Sequence, residues 1–388
     1  MSLSGDLDRE IQNGRNGRSG FIPFPYEKLS DYLEISKGTM YVIGAETGVG
    51  KSTFSVDAFV VHTIQWYLNN KPKDMKLSII GFFMERKMYS LTARIVSRLI
   101  FQDTGLMITP KKIIGRKKED NLTDKEYSLI QQYYSVLDEW EKDDLFIWFE
   151  GSKNPSGISM FLEMFAEKHG TLHKKNLKED RTLENVLQST SYTPNHPNHI
   201  VLVIGDNAGI LSPEGDGKQK TLVDKFSRTM REAKDIYGFS PILIQQLNRG
   251  MSDVQRQKLG ELEPKLSDFA DSAQTSKDAE VVLAIFDPFK HSVTRENRAG
   301  YDLKRLKDKW HRTYYREIYI LKNSYDSADI ACPVALHPIF GIFKTLPKAI
   351  DMTDEIYESV INGKFFRGDT SINKEADEMQ LKAFKGFL

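Results

Sequence analysis

The chain has 388 residues, 40% hydrophobic and 28% charged, enough apolar material for one large domain or two modest ones. Its 54 Lys and Arg balance 54 Asp and Glu, so overall charge announces no nucleic-acid or membrane partner, and any basic binding surface must be local. The single cysteine, Cys332, excludes an intrachain disulfide framework and a cysteine-rich zinc site, and it fits a reducing, cytoplasmic setting. No apolar run reaches the roughly 18 residues a membrane span needs, and the polar residues 1–20 are not a signal peptide.

In chain order, residues 1–22 read as a flexible arm or linker of charges, Asn and Gly, and 23–38 as a turn-rich lead-in. Residues 39–44 form a β-type apolar stretch that stops at a glycine-containing loop. Residues 52–67 follow with helical spacing through Phe54, Ala58, Val61 and Trp66. The near-continuous apolar run 77–83 suits a strand buried on both faces, as in a parallel sheet. A helix over 86–101 carries Leu91, Ile95, Val96 and Leu99, and the highly charged 105–142 reads as a helical surface excursion. A strand at 145–149 and a helix at 158–168 come next, and 170–198 has the composition of a long, insertion-like loop. Strands at 200–204, 241–246, 279–286 and 317–321 follow, with a helix marked by Leu222, Phe226, Met230 and Ala233. Residues 332–343 add one or two edge strands, and 349–388 form a helical or partly disordered tail. Strands alternating with helices predict an α/β fold with a mostly parallel, twisted sheet flanked by helices over about 23–348.

One segment carries specific chemistry. Ala45-Glu46-Thr47-Gly48-Val49-Gly50-Lys51-Ser52 fits G-x-x-x-x-G-K-[ST] except at its first position, and it lies between a strand and a helix. Glycines at 48 and 50 let backbone N–H groups turn toward phosphate oxygens, and the following helix presents its positive end to the same anion. Lys51 is then expected on the β and γ phosphates of ATP, Ser52 on Mg²⁺, with Thr53 next in the cradle. The plainer alternative is an ordinary glycine-rich strand–helix turn.

Hydrolysis needs an acid for the Mg²⁺ shell and a group that positions water. Asp206 closes the apolar strand Val201-Leu202-Val203-Ile204-Gly205, which suits the first task, although aspartates also open ordinary turns. Glu85 follows the 77–84 strand, at the edge where open α/β sheets bind ligands; an acid favoured by a helix N-terminus is the other reading. Gln246 ends its strand before Leu247-Asn248-Arg249, where an amide can sense a γ-phosphate or be merely structural.

Together these motifs resemble the C-terminal, RecA-like P-loop ATPase domain of replicative hexameric DNA helicases of the DnaB type, as found in phage. Phe83-Met84-Glu85 with Leu91 and Arg94 is similar to the family's catalytic-glutamate motif, and Val203-Ile204-Gly205-Asp206 to its Walker B strand. Gln246-Leu247-Asn248-Arg249 resembles its sensor. Leu266-Ser267-Asp268-Phe269 through Asp278-Ala279-Glu280-Val281-Val282 resembles its second DNA-loop region, and Lys322-Asn323 falls where the family has a lysine, one residue and an arginine finger. The resemblance covers about residues 20–345. It implies that Glu85 is the general base, with Lys51 and Gln246 in the same site and Arg94 beside the nucleotide. It also implies a homo-oligomeric ring, usually a hexamer, with ATP between subunits and Lys322 reaching into the neighbour's site. Single-stranded DNA would pass through the channel 5′ to 3′, with a primase or helicase loader as partner.

Three departures stand out. Only about twenty residues precede the ATPase module, so the family's N-terminal domain is expected to be absent. Ser324 stands at the arginine-finger position, leaving Lys322, Arg312 or Arg316 to compensate. Ala270 and Ala273 replace the arginine and glycine of the DNA-contacting loop, leaving Lys277 and backbone amides. Positive charge gathers instead at Lys304, Arg305, Lys307, Lys309, Arg312 and Arg316, interleaved with Trp310, Tyr314 and Tyr315. Such a pattern can track a single strand or be a solvated surface. The remaining readings are a RecA-like regulatory or recombination ATPase and a non-hydrolysing ring scaffold.

Overall fold

The computed structural model describes residues 3–15, 20–115, 121–151, 153–177, 186–206, 211–212, 219–248, 256, 261–291 and 297–367. Strands β1 (Phe21–Pro23) and β2 (Glu34–Ser36) pair antiparallel. Along the chain follow β3 (Tyr41–Ala45), β4 (Lys76–Phe83), β5 (Phe146–Glu150), β6 (Gly170–Leu177), β7 (Val186–Pro194), β8 (His199–Asp206), β9 (Ser240–Gln246) and β10 (Val281–Phe286). Then come β11 (Asn297–Arg298), β12 (Tyr301–Asp302), β13 (Tyr315–Asn323), β14 (Ile330–His337) and β15 (Ile342–Thr345). By internal contacts the chain divides into two compact units: Met1–Met88, Leu137–Val293 and Arg316–Val334 in the first, Tyr89–Val136, Thr294–Tyr315 and Ala335–Leu388 in the second.

The first unit is built on a sheet in the order β5-β4-β8-β9-β3-β10-β13-β14. Every pairing from β5 to β10 is parallel, and β13 joins β10 antiparallel. Parallel strands need both faces covered, and the alternation of side chains supplies two apolar faces. Val42, Phe82, Val203 and Leu243 pack with Phe165 and Phe226, which come from the helices Pro155–His169 and Gln219–Tyr237. On strand β3 the intervening Tyr41 meets Phe59 with ring centroids 5.4 Å apart, in the helical run after the glycine loop. That run is α-helical at Lys51–Val56, a π-helix at Asp57–His62 and α-helical again at Thr63–Asn70. The mostly parallel sheet with flanking helices agrees with the α/β expectation.

In the second unit, Phe101 on the helix Met88–Thr104 stacks on Phe340 with centroids 4.3 Å apart, and His337 lies beside both. A turn containing Gly341 (φ 69°) separates β14 from β15. The charged excursion is helical as expected, at Pro110–Ile114 and at Asp124–Gln132, where Thr123 and Glu126 form a reciprocal capping box.

Three expectations need correction. The segment expected as a long loop at 170–198 holds the antiparallel pair β6–β7. Leu172 and Tyr192 are register partners and pack on the core, while Lys174 bridges to Glu163 and Glu167. The inward alternation is real but diluted by charge. The expected flexible arm contains a helix, Leu3–Arg15. In the tail, Thr353 and Gly363 (φ 86°) cap the helix Asp354–Asn362. Residues 368–388 lie outside the described residues.

Two buried histidines make the fold acid-sensitive. His199 is 3% exposed, shares a 2.9 Å hydrogen bond with Ser78, and is pushed down to about 3 by burial and the cations Lys76, His169, His196 and Lys37. His337, 2% exposed, is pushed down to about 4 by burial and Arg312. An unfolded histidine titrates near 6.5, so the unfolded chain takes up protons first as pH falls. Stability from these groups is complete above about pH 6.5 and declines toward pH 3–4. Thermal melts are expected to fall already between about pH 6.5 and 5, where ordinary carboxylates stay ionised. His199→Gln should flatten part of that slope, and a flat melting temperature in wild type would refute the assignment.

Candidate nucleotide-binding site

The loop between β3 and the helix Lys51–Val56 is held at its base by the sheet, where the Leu247 amide donates to the Ala45 carbonyl at 3.1 Å. Gly48 (φ 78°) and Gly50 (φ 119°) take left-handed conformations that a side chain would strain. Val49, Lys51 and Ser52 are buried, while Thr47 and Gly48 are exposed at the loop's outer rim.

The parallel register brings the acids to the same edge. Phe83 of β4 is the partner of Asp206 of β8, and the Met84 amide donates to the Asp206 carbonyl at 2.7 Å, so Glu85 emerges beside the end of β8. The Ser52 hydroxyl donates to Asp206 Oδ1 at 2.9 Å. Burial raises the pKa of Asp206; the Ser52 bond, Arg86 and Lys51 act against that, and Glu85 acts with it. A 1% exposed carboxylate beside a serine hydroxyl offers the hard oxygen ligands that Mg²⁺ takes alongside phosphate oxygens, so the residues present fit that ion. Among the described residues no three His, Cys, Asp or Glu converge on a metal position of their own.

A second set of contacts on the loop lies beyond what the sequence reading reaches. After β10 a 3₁₀ turn, Pro288–His291, lies against the loop. His291 Nε2 is 2.8 Å from the Glu46 carboxylate, and that bond lowers the Glu46 pKa more than burial raises it. Lys290 Nζ donates to the Thr47 carbonyl. Arg316 of β13 donates from Nε to the Val49 carbonyl at 3.0 Å and pairs with Asp287 at 3.0 Å, both side chains less than a tenth exposed. Three successive anchors thus come from segments more than 240 residues further along the chain. The one sequence signal for them is the cation-rich stretch that includes Arg316.

Gln246 ends β9 exposed, level with Ala45, whereas its neighbour Gln245 accepts a 2.6 Å bond from Thr275. Arg249 lies outside the described residues. Lys322 donates to the carbonyls of Ser276, Lys277 and Ala279 at 3.2, 3.1 and 2.5 Å, which occupies all three ammonium hydrogens at the end of the helix Ala273–Asp278. Ser324 donates its amide to the Glu280 carbonyl at 3.0 Å. Arg94 lies on the Met88–Thr104 helix, in the second unit.

No protein-family model and no curated protein matches the sequence. Solved structures do match it. One, an ATPase domain solved by itself, aligns with a TM-score of 0.61 at 15% identity, covering 89% of this chain and 99% of that one. A DnaB-like replicative helicase, described with its interactions with primase, aligns with a TM-score of 0.59 at 14% identity, covering 87% of this chain and 67% of that one. At such identities the likeness carries architecture: the chain has the RecA-like fold of the ATPase domain of DnaB-type replicative helicases.

Proposed function

We propose that the chain is an ATP-hydrolysing motor that works in a ring, a hexamer by family resemblance, and moves along single-stranded DNA 5′ to 3′. One observation carries the ATPase reading: the Ser52 hydroxyl sits on the buried Asp206 carboxylate, and Glu85 emerges from the adjoining strand. In this reading residues 45–53 cradle the triphosphate, with Lys51 on the β and γ phosphates, while Ser52 and Asp206 hold Mg²⁺. The ion would supply charge withdrawal from the phosphate oxygens. Glu85 takes a proton from water as the water oxygen bonds to the γ-phosphorus. The bond to the β–γ bridging oxygen breaks, giving ADP and inorganic phosphate. Gln246 stands level with Ala45 to sense the terminal phosphate, and Arg94 remains a candidate nucleotide contact on the fold likeness alone. A primase-type partner is proposed because one structural neighbour is described with primase.

The nucleic-acid part rests on a hairpin tip in the second unit. Asp308 Oδ1 accepts from the amides of Trp310 and Arg312 at 2.9 and 2.8 Å, and Oδ2 accepts from Arg312 Nε at 2.7 Å. This fixed tip presents Trp310 at 64% exposure, with Lys309 and Arg312 4.5 and 4.8 Å from its ring. An exposed, pre-oriented indole among cations suits a base stacked beside its phosphates. Arg305, by contrast, is engaged with Asp354 at 2.7 Å and Tyr357 at 4.2 Å.

A second reading has its own support. Lys322 is engaged within its own subunit and Ser324 offers no cation, which favours a nucleotide-driven assembly switch with slow turnover. Single-stranded DNA separates the two: stimulated hydrolysis with strand separation on a fork fits the motor, and unstimulated hydrolysis without separation fits the switch.

Lys51→Ala is expected to abolish nucleotide binding or turnover. Glu85→Gln should retain binding and lose about 10²–10⁴-fold in turnover, with near-normal rates removing Glu85 from the base role. Trp310 fluorescence should be quenched by a single-stranded oligonucleotide. Trp310→Ala should weaken binding by about 1–3 kcal/mol, and unchanged affinity would sink the tip as a DNA contact.

A further inference from the structure

We propose that Lys290 is a second cation for the terminal phosphate of the bound nucleotide, supplied by the same subunit as the phosphate loop. This rests on the ATP reading of that loop. The loop is clamped on either side of its outer rim. On one side His291 holds Glu46 at 2.8 Å, its ring stacked on Phe286 with centroids 5.5 Å apart and planes 16° from parallel. On the other, Arg316 holds the Val49 carbonyl at 3.0 Å and ties back to Asp287. Asp287 also fixes the turn that carries Lys290: Oδ1 accepts from the Phe289 amide at 3.1 Å, and its carbonyl accepts from the Lys290 amide at 3.2 Å.

Between these buried clamps lies Thr47-Gly48, and there the contact changes character. Lys290 is exposed, and its ammonium donates to the Thr47 carbonyl, 3.9 Å from where a side chain on Gly48 would begin. The buried His291 and Arg316 are fixed in place. A lysine on a flexible stem, in solvent, resting on a neutral carbonyl, is free to exchange that carbonyl for a better acceptor. A phosphate oxygen is such an acceptor, because ionised partners make bonds roughly twice as strong. The lysine approaches from the Thr47 rim, opposite the end where Lys51 begins the helix, so it adds charge at the outer end of a triphosphate and little at a diphosphate. A cation supplied in this way also answers the absence of one at Ser324.

Affinity for two nucleotides tests the inference apart from turnover. The full chain and its Lys290→Ala and Lys290→Arg variants would be titrated with fluorescent ADP and with a fluorescent non-hydrolysable ATP analogue, after thermal melts confirm folding. Lys290→Ala should lose roughly ten- to hundred-fold for the triphosphate and less than about two-fold for the diphosphate, and Lys290→Arg should recover part of the triphosphate loss. Equal losses for both nucleotides would show a lysine that only shapes the loop. No loss for either would show a lysine that does nothing there. Both results overturn the proposal while leaving the ATP site standing. If wild type binds neither nucleotide, the site and Lys290's role fall together.

Discussion

The carboxyl of Asp206 is 1% exposed at the end of a strand buried along its whole length. Burying such a group costs several kcal/mol when its charge is uncompensated, and here compensation is incomplete: one hydroxyl bond from Ser52, positive potential from Lys51 and Arg86, and opposition from Glu85. The balance leaves the carboxyl with a raised pKa and a deficit of positive charge where the loop opens. Everything nearby is arranged by the parallel sheet that imposes this burial. Because β3, β9, β8 and β4 are neighbours in register, Ala45, Gln246, Asp206 and Phe83 all end at the same edge. Chemistry gathers there because strand direction leaves it nowhere else to gather.

The loop is also held from the side, and that brace depends on the one antiparallel junction next to it. β13 runs against β10, and its early residue Arg316 reaches the loop while Lys322, six residues later, caps the helix Ala273–Asp278. At about 3.4 Å per residue, the two contacts lie about 20 Å apart along one strand. The same helix gives Thr275 to Gln245 on β9, the strand beside the loop strand. A displacement of the loop therefore meets a closed circuit of contacts through β13, the helix and β9. These couplings use main-chain carbonyls at both ends of β13, so they report backbone position more than side-chain identity.

How much of this is legible in the sequence follows from range. The phosphate loop, the apolar strands and the strand-terminal acid are local patterns, and each can be read within about ten residues. Even Glu85 beside Asp206 follows once both strands are taken as parallel neighbours. The hairpin at β6–β7 escapes a sequence reading because its inward positions, Leu172 and Tyr192, stand among Lys174, Thr193 and Ser191, whose composition reads as loop. The brace escapes it for a different reason. His291 pairs with Glu46 across 245 positions and Arg316 with Val49 across 267, and nothing local marks either residue. Arg316 is visible only as one charge in a basic stretch, whose members have separate fates in the fold: a buried clamp at 316, an intra-unit pair at Arg305, a hairpin tip at Arg312.

That separation bears on how a site without an arginine finger would be completed. The sequence leaves Arg316 as a candidate to serve a neighbouring subunit, but its guanidinium is committed to Asp287 and to its own loop, with the side chain 6% exposed. Lys322 would have to give up three carbonyl bonds to reach outward, and each is a partner that water must then replace. The cations nearest this loop are therefore its own subunit's: Lys51 inside, Arg316 and His291 as buried clamps, and Lys290 exposed at the rim. A charge set that travels with the loop has no need of subunit closure to assemble, so the geometry favours a site whose nucleotide affinity is set within one chain. Any neighbour would then adjust the rate of the chemistry and leave the binding largely as it is.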